Sequence, residues 1–375
     1  MSATLNPFVV AIGDDEITDL RYRLRNTRWP DQIPDTGWEL GTDSSYLREL
    51  CAHWSDGFDF AAWQERCNRF LQVKTFIDGI GLHAIVAEST NLNATPLLLL
   101  HGWPGSVAEY FEVIEPLRAQ HHVVVASLPG YGFSGPTERM GVGLLAMASA
   151  LVELMHLLGH QRFITAGGDW GAIVGSWIAA HHPESVIGLH VTLMPAMPPE
   201  GADPMDGVTP DEKAALRRMQ RVQTNGAGYR AIQSTKPQSL AFGLTDSPVG
   251  LAGWIIEKFQ AWSDGDITTA YTMDRLLDNL SIYWFTGTIN SSTRLYHEAT
   301  SGGRSPFPDR NVVVPTGHAV FPGEVYPTAR VWAEARFDIV HWKVMTEGGH
   351  FAAMEVPGIY VDELLTFTHA IGATA

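Results

Sequence analysis

The chain has 375 residues, 45% hydrophobic and 18% charged, with a formal net charge of −16, and it is long enough to bury a sizeable core as one large domain with an insertion or as two smaller domains. A generally acidic surface repels both nucleic acid and anionic membrane, which excludes them as expected partners. The two cysteines, Cys51 and Cys67, are too few for a disulfide scaffold; they lie on apolar helical stripes that suit buried thiols, and so favour a reducing compartment.

The N-terminal run Met1-Ser2-Ala3-Thr4-Leu5-Asn6-Pro7 has no basic stretch followed by an apolar one, and no apolar run of about 18 residues occurs. The expectation is a soluble, cytoplasmic protein without a membrane anchor. Helical spacing follows: Ile17, Leu20 and Leu24 after the acidic start Asp14-Asp15-Glu16, then Leu47, Leu50, Cys51 and Trp54, then Phe60, Trp63, Cys67 and Phe70. Trp29, Trp38, Trp54 and Trp63 make this an aromatic-rich meander. Its short helices cannot form a large core alone, so it is expected to wrap a neighbouring domain.

From Val73 the period becomes that of strands, with Gly79-Ile80-Gly81 as a turn between Val73 to Asp78 and Leu82 to Glu88. Continuous apolar runs of parallel-sheet type follow at Pro96 to Leu100 and Val123 to Leu128. A helical stretch spans Gly141 to Leu158, and a further strand spans Val186 to Leu193. The pattern is that of a mostly parallel α/β sheet. It breaks at Met194-Pro195-Ala196-Met197-Pro198-Pro199-Glu200-Gly201. From there to about residue 305 helical stretches dominate, including Asp211 to Gln223 and Tyr271 to Tyr283, which reads as an inserted helical lid. Strands resume at Asn311 to Val314 and Phe337 to Met345. The expected organisation is a meander and first strands (1–90), a first core segment (91–194), the lid (195–305) and a second core segment (306–375).

Within the core, Gly167-Gly168-Asp169-Trp170-Gly171 has the form of a nucleophile elbow with Asp in place of Ser. A β-rich run, Arg162 to Ala166, precedes it, and small and apolar residues suited to a buried helix, Ala172 to Ala180, follow it. Taken alone, Gly-Gly-Asp fits a surface turn as well. A carboxylate nucleophile needs no activating base at neutral pH, because its unperturbed pKa is near 3.9. Its attack on carbon gives an alkyl ester, and hydrolysing that ester requires water activated by a His that a third carboxylate orients. With chain order nucleophile, acid, His, His350 in Glu347-Gly348-Gly349-His350-Phe351 follows the last strand. Fifteen histidines are present, so position selects it. Glu324 in Phe321-Pro322-Gly323-Glu324 is the expected acid, with Asp309 and Asp338 as competitors. After the strand Leu97 to Leu100, the loop His101-Gly102-Trp103-Pro104-Gly105-Ser106 can supply one N–H of an oxyanion hole and Trp170 the other; Trp103 can donate, whereas Pro104 cannot.

Several stretches carry a family resemblance: His101-Gly102-Trp103-Pro104-Gly105, Gly130-Tyr131-Gly132-Phe133-Ser134, the elbow, Gln233-Ser234-Thr235-Lys236-Pro237, Asp246-Ser247-Pro248-Val249-Gly250-Leu251 and Gly348-Gly349-His350-Phe351-Ala352-Ala353. Over nearly its whole length the chain resembles the epoxide hydrolases of the α/β-hydrolase fold, in the microsomal-type branch with an N-terminal meander. The resemblance implies a mostly parallel sheet with helices on both faces, a helical lid, no cofactor, and hydrolysis of a small-molecule epoxide to a vicinal diol. The family's two lid tyrosines match Tyr229 and Tyr296, and the bond matching Trp103-Pro104 is usually cis in the family. His101, Trp103, Pro104 and Trp170 are the implied substrate contacts, in a pocket expected to be apolar and aromatic with lid residues such as Trp254 and Phe259.

The tyrosines make independent chemical sense. Epoxide opening creates an alkoxide, and a phenol with a pKa near 10 can protonate it without being ionised at neutral pH. Tyr283, beside Trp284 and Phe285, reads as core. A haloalkane dehalogenase shares the Asp-His chemistry, but its leaving halide needs no proton; chloride release against diol formation separates the two. A non-catalytic binding protein on the same fold would lack an essential group. The epoxide itself, its stereochemistry and homo-oligomer formation are left open by the sequence.

Overall fold

A computed structural model of the chain describes residues 3–201 and 203–373. The meander consists of a short strand, β1 (Asn6–Phe8), and helices α1 (Asp14–Arg25), α2 (Ser44–Ala52) and α3 (Phe60–Cys67). Each helix begins where a side chain satisfies its first free N–H groups. Glu16 accepts from Gly13 N–H, Asp43 from Tyr46, and Asp59 from Ala61 and Ala62. The apolar stripes, among them Ile17, Leu20, Leu24, Leu50, Trp54 and Trp63, are buried. Cys51 and Cys67 are buried free thiols, and burial pushes Cys51 up to about 12, so it is an inert packing group.

Eight further strands join β1 in one sheet: β2 (Leu71–Ile77), β3 (Ile80–Ala87), β4 (Thr95–Leu100), β5 (His121–Ser127), β6 (Phe163–Gly167), β7 (Val186–Val191), β8 (Val312–Val320) and β9 (Phe337–Val344). Their order is β1-β2-β3-β5-β4-β6-β7-β8-β9. The pairs from β1 to β5 are antiparallel, and those from β5 through β9 are parallel. Leu97 to Leu100 of β4 are wholly buried, which is why that strand reads as a continuous apolar run. Strand β8 outlasts the expected Asn311 to Val314 by six residues. Pro315 and Gly317 interrupt its apolar pattern, and the register against β9 shifts at both places.

The crossovers are α4 (Ile114–Arg118), α5 (Leu144–Leu157) and α6 (Asp169–His181). Between β7 and β8 stand α7 (Pro210–Gly226), α8 (Gly228–Thr235), α9 (Pro237–Asp246), α10 (Pro248–Trp262), α11 (Ile267–Ala270), α12 (Met273–Thr286) and α13 (Ile289–Thr300), which form the lid. Helices α14 (Arg330–Glu334), α15 (Ala352–Glu355) and α16 (Pro357–Ala370) complete the chain. Adjacent β7 residues show that both sheet faces are covered: a Cβ on Gly188 would meet Phe367 and Ile371 of or just beyond α16, while Leu189 lies against Gly175 of α6. The meander is clamped to the lid. Trp54 Nε1 donates to Ser281 Oγ at 3.0 Å, and Arg66 donates twice to the Asp278 carboxylate, at 3.1 and 2.6 Å. No described helix is long and apolar enough to cross a membrane.

Candidate active site

Strand β6 ends at Gly167 and α6 begins at Asp169, whose φ of +46° is one that residues with a Cβ rarely adopt. Close packing fixes this turn. A Cβ on Gly171 would lie 1.9 Å from Leu100 O, and a Cβ on Gly102 would lie 2.2 Å from Asp169 Oδ1, so glycine is required at both positions. The carboxylate of Asp169 therefore stands at the head of α6, above the sheet, where the helix N-terminus favours negative charge.

Asp169 Oδ1 accepts a hydrogen bond from Trp103 N–H at 2.8 Å, and Oδ2 lies 3.3 Å from His350 Nε2. On the other side of the ring, His350 Nδ1 lies 3.0 Å from both Glu324 oxygens. Glu324 is held in turn by the Tyr326 N–H, at 2.9 Å, and the His350 backbone N–H donates to Trp262 O at 2.9 Å. Burial on its own would lower the His350 pKa, but Glu324 and Asp169 together outweigh it and hold the imidazole well above its usual value. The competing acids stand elsewhere: Asp309 is exposed and bonds His181, while Asp338 is exposed on β9.

Tyr229 on α8 and Tyr296 on α13 line the same cavity as Asp169, which has a volume of about 520 Å³. Their rings are 5.9 Å apart. Trp103 stacks on Tyr229 at 5.3 Å and 6° and meets Tyr296 edge-on, and Trp170 meets Tyr296 edge-on at 4.8 Å. Burial raises both phenols well above their usual pKa, so they are protonated donors at neutral pH. Ile173, Leu193, Met194, Met197, Met219 and Phe307 make most of the remaining wall apolar.

The expected substrate contacts are only partly in the cavity lining. Trp170 lines it, whereas His101, Trp103 and Pro104 do not. His101 is fully buried. Its Nε2 accepts from Leu128 N–H at 3.2 Å, which leaves Nδ1 to donate to Gly102 O at 3.0 Å, and burial drops its pKa to about 4. It is a neutral prop for the loop that carries the Trp103 amide. The Trp103-Pro104 bond is cis. Pro104 O accepts from Asn279 Nδ2 and Gly105 O from Tyr283 O–H, both at 2.8 Å, so α12 grips this loop from the lid. Trp254 and Phe259 also stand outside the lining. Trp254 Nε1 donates to Gln233, and Phe259 is buried in a stack on Phe351 at 4.2 Å.

Two residues escaped the sequence reading. The Tyr326 hydroxyl lies 3.0 Å from that of Tyr229 and also lines the cavity; its only sequence signal is its place two residues after Glu324. Glu109 is buried against Gly105, with Asp169 and His350 both close enough to act on its charge; burial pushes its carboxyl up to about 8. Among the described residues, no group of three or more His, Cys, Asp or Glu side chains is placed to hold a metal ion.

The chain matches known proteins over nearly all of its length. The family described as "Epoxide hydrolase N terminus" matches residues 5–110, and the alpha/beta hydrolase fold matches residues 95–226. A putative epoxide hydrolase of Stigmatella aurantiaca is 38% identical over 96% of this chain and 84% of its own length. Epoxide hydrolase 1 of Sus scrofa is 33% identical over 97% and 88%. Among solved structures, juvenile hormone epoxide hydrolase from the silkworm Bombyx mori superposes with a TM-score of 0.92 at 30% identity, over 99% of this chain and 95% of that one. The Aspergillus niger epoxide hydrolase gives 0.87 at 30% identity, over 98% and 97%.

Proposed function

The chain belongs to the epoxide hydrolase family of the α/β-hydrolase fold, and from that premise we propose that it converts apolar epoxides to vicinal diols through a covalent ester on Asp169. In the first step Asp169 Oδ2 bonds to an epoxide carbon, the ring C–O bond breaks, and the oxygen takes a proton from Tyr229 or Tyr296. Oδ1, already on the Trp103 amide, becomes the ester carbonyl oxygen. In the second step His350 Nε2 takes a proton from water, whose oxygen bonds to that carbonyl carbon. The negative charge gathers on Oδ1 between the Trp103 and Trp170 amides. Collapse breaks the acyl C–O bond, the departing oxygen takes the proton held on His350, and the new carboxyl of Asp169 returns its proton to that ring, so the diol leaves with the former Oδ2 and Asp169 keeps the oxygen of water.

The observation that carries this reading is His350 between two carboxylates, with Nδ1 3.0 Å from Glu324 and Nε2 3.3 Å from Asp169. In the free enzyme both acids favour the imidazolium. Esterification removes the charge of Asp169, so the His350 pKa falls at the stage where a neutral base is required, and its proton can neutralise the tyrosinate. Glu324 then orients the ring and stabilises the imidazolium formed during hydrolysis.

The test is His350→Gln mixed with a good substrate such as styrene oxide. Intact-protein mass spectrometry should find one substrate mass added, mapped to the Asp169 peptide. An unmodified protein after complete loss of turnover would count against the ester.

A further inference from the structure

From Lys213 to Thr245 the lid carries six cations, Lys213, Arg217, Arg218, Arg221, Arg230 and Lys236, and no Asp or Glu. At the chain's average of 41 acids in 375 residues, a stretch of that length would hold about three or four. Among the described residues none of the six cationic groups has a hydrogen-bond or ion-pair partner. Arg217 and Arg221, one helical turn apart on α7, line one surface groove. Arg230, exposed and next to Tyr229 on α8, lines the active-site cavity itself. Asp169 and Arg230 are the charged residues among those lining that cavity. The anion is the more buried of the two, its side chain 15% exposed, the cation is exposed to solvent, and apolar side chains make up most of the remaining lining.

That polarity sorts ligands by direction. A negative group on the reacting end of a substrate would face Asp169 with Glu324 behind it, whereas the same group at the far end would meet an unpaired guanidinium. The planar fork of Arg matches a carboxylate with two parallel hydrogen bonds. The remaining cations of this acid-free stretch add positive charge to the lid of an enzyme that is acidic overall.

Resting on the reading of this site as epoxide-opening, we propose that Arg230 is a specificity-determining residue that selects apolar epoxides carrying a carboxylate at the end remote from the ring.

The test compares 10,11-epoxyundecanoate with its methyl ester on the full chain, for wild type, Arg230→Gln and Arg230→Lys, at low and high salt. The readout is the ratio of kcat/KM for acid over ester within each protein, which cancels any general effect of the substitution. Wild type should favour the acid by about tenfold, mostly through KM, and salt should shrink the preference. Arg230→Gln should bring the ratio to about one, and Arg230→Lys, which keeps the charge but loses the fork, should retain only part of it. A wild-type ratio of one or less, or a ratio that Arg230→Gln leaves intact, overturns the assignment. Styrene oxide has no anion and marks the other failure: if wild type opens neither it nor the ester, the hydrolase reading falls and this inference with it.

Discussion

Replacing Glu324 with Gln keeps the shape of the residue beside His350 and removes its charge. With the carboxylate oxygens 3.0 Å from Nδ1, an effective dielectric of about 20 gives at most about 5.5 kcal/mol of attraction for the imidazolium. That charge is the largest of the upward pulls on His350, ahead of those from Asp169. Once Asp169 is esterified, Glu324 is the remaining carboxylate on that ring. Glu324→Gln should therefore slow ester hydrolysis by about 10²- to 10⁴-fold, while Asp169, which needs no base, still alkylates at a rate near that of wild type. The assay is stopped-flow tryptophan fluorescence, since Trp262 lies 5.0 Å from the His350 ring and Trp170 4.8 Å from Tyr296. A fast phase of ester formation should persist and the slow return should lengthen. If both phases slowed equally, or if the fast phase alone were lost, assigning Glu324 to the second step would be wrong.

Tyr229→Phe and Tyr296→Phe should each lower the alkylation rate by about 10²-fold with a smaller effect on hydrolysis, because proton donation to the ring oxygen belongs to the first step; single-turnover kinetics showing only slower hydrolysis would contradict this. Glu109→Gln tests a buried acid through stability. The Glu109 carboxyl is raised to about 8 by burial, so the native state retains a proton that the unfolded chain releases from about pH 4.5 upward, and this group costs stability as pH rises from about 4.5 to about 8. The variant should flatten that part of the stability curve by an amount on the order of a few kcal/mol, measured as denaturant midpoints against pH; a curve parallel to wild type would refute it.

Local pattern makes part of the fold legible. Asp169 is legible because the elbow needs glycine on both sides and a strand and helix around them, and His350 because it follows the last strand. Strand β1, three residues long, is too short to show a period, and Pro315 and Gly317 hid two thirds of β8. Contacts made by approach from distant segments left no local trace: Tyr326 reaching Tyr229, and Glu109 folding back on Gly105. The pocket wall was misassigned at Trp254 and Phe259 because an aromatic on a lid helix can face the cavity or the core, and spacing alone does not say which. Net charge likewise conceals distribution, since an acidic chain carries an acid-free basic stretch over its lid.

The central claim is the covalent ester, and the path of one oxygen atom tests it most directly. A single turnover of wild-type enzyme in excess over styrene oxide, run in heavy-oxygen water and followed by mass spectrometry of the Asp169 peptide and the diol, should place the label in Asp169 and leave the first diol unlabelled. A labelled diol with an unlabelled Asp169 would mean that water attacks the epoxide directly.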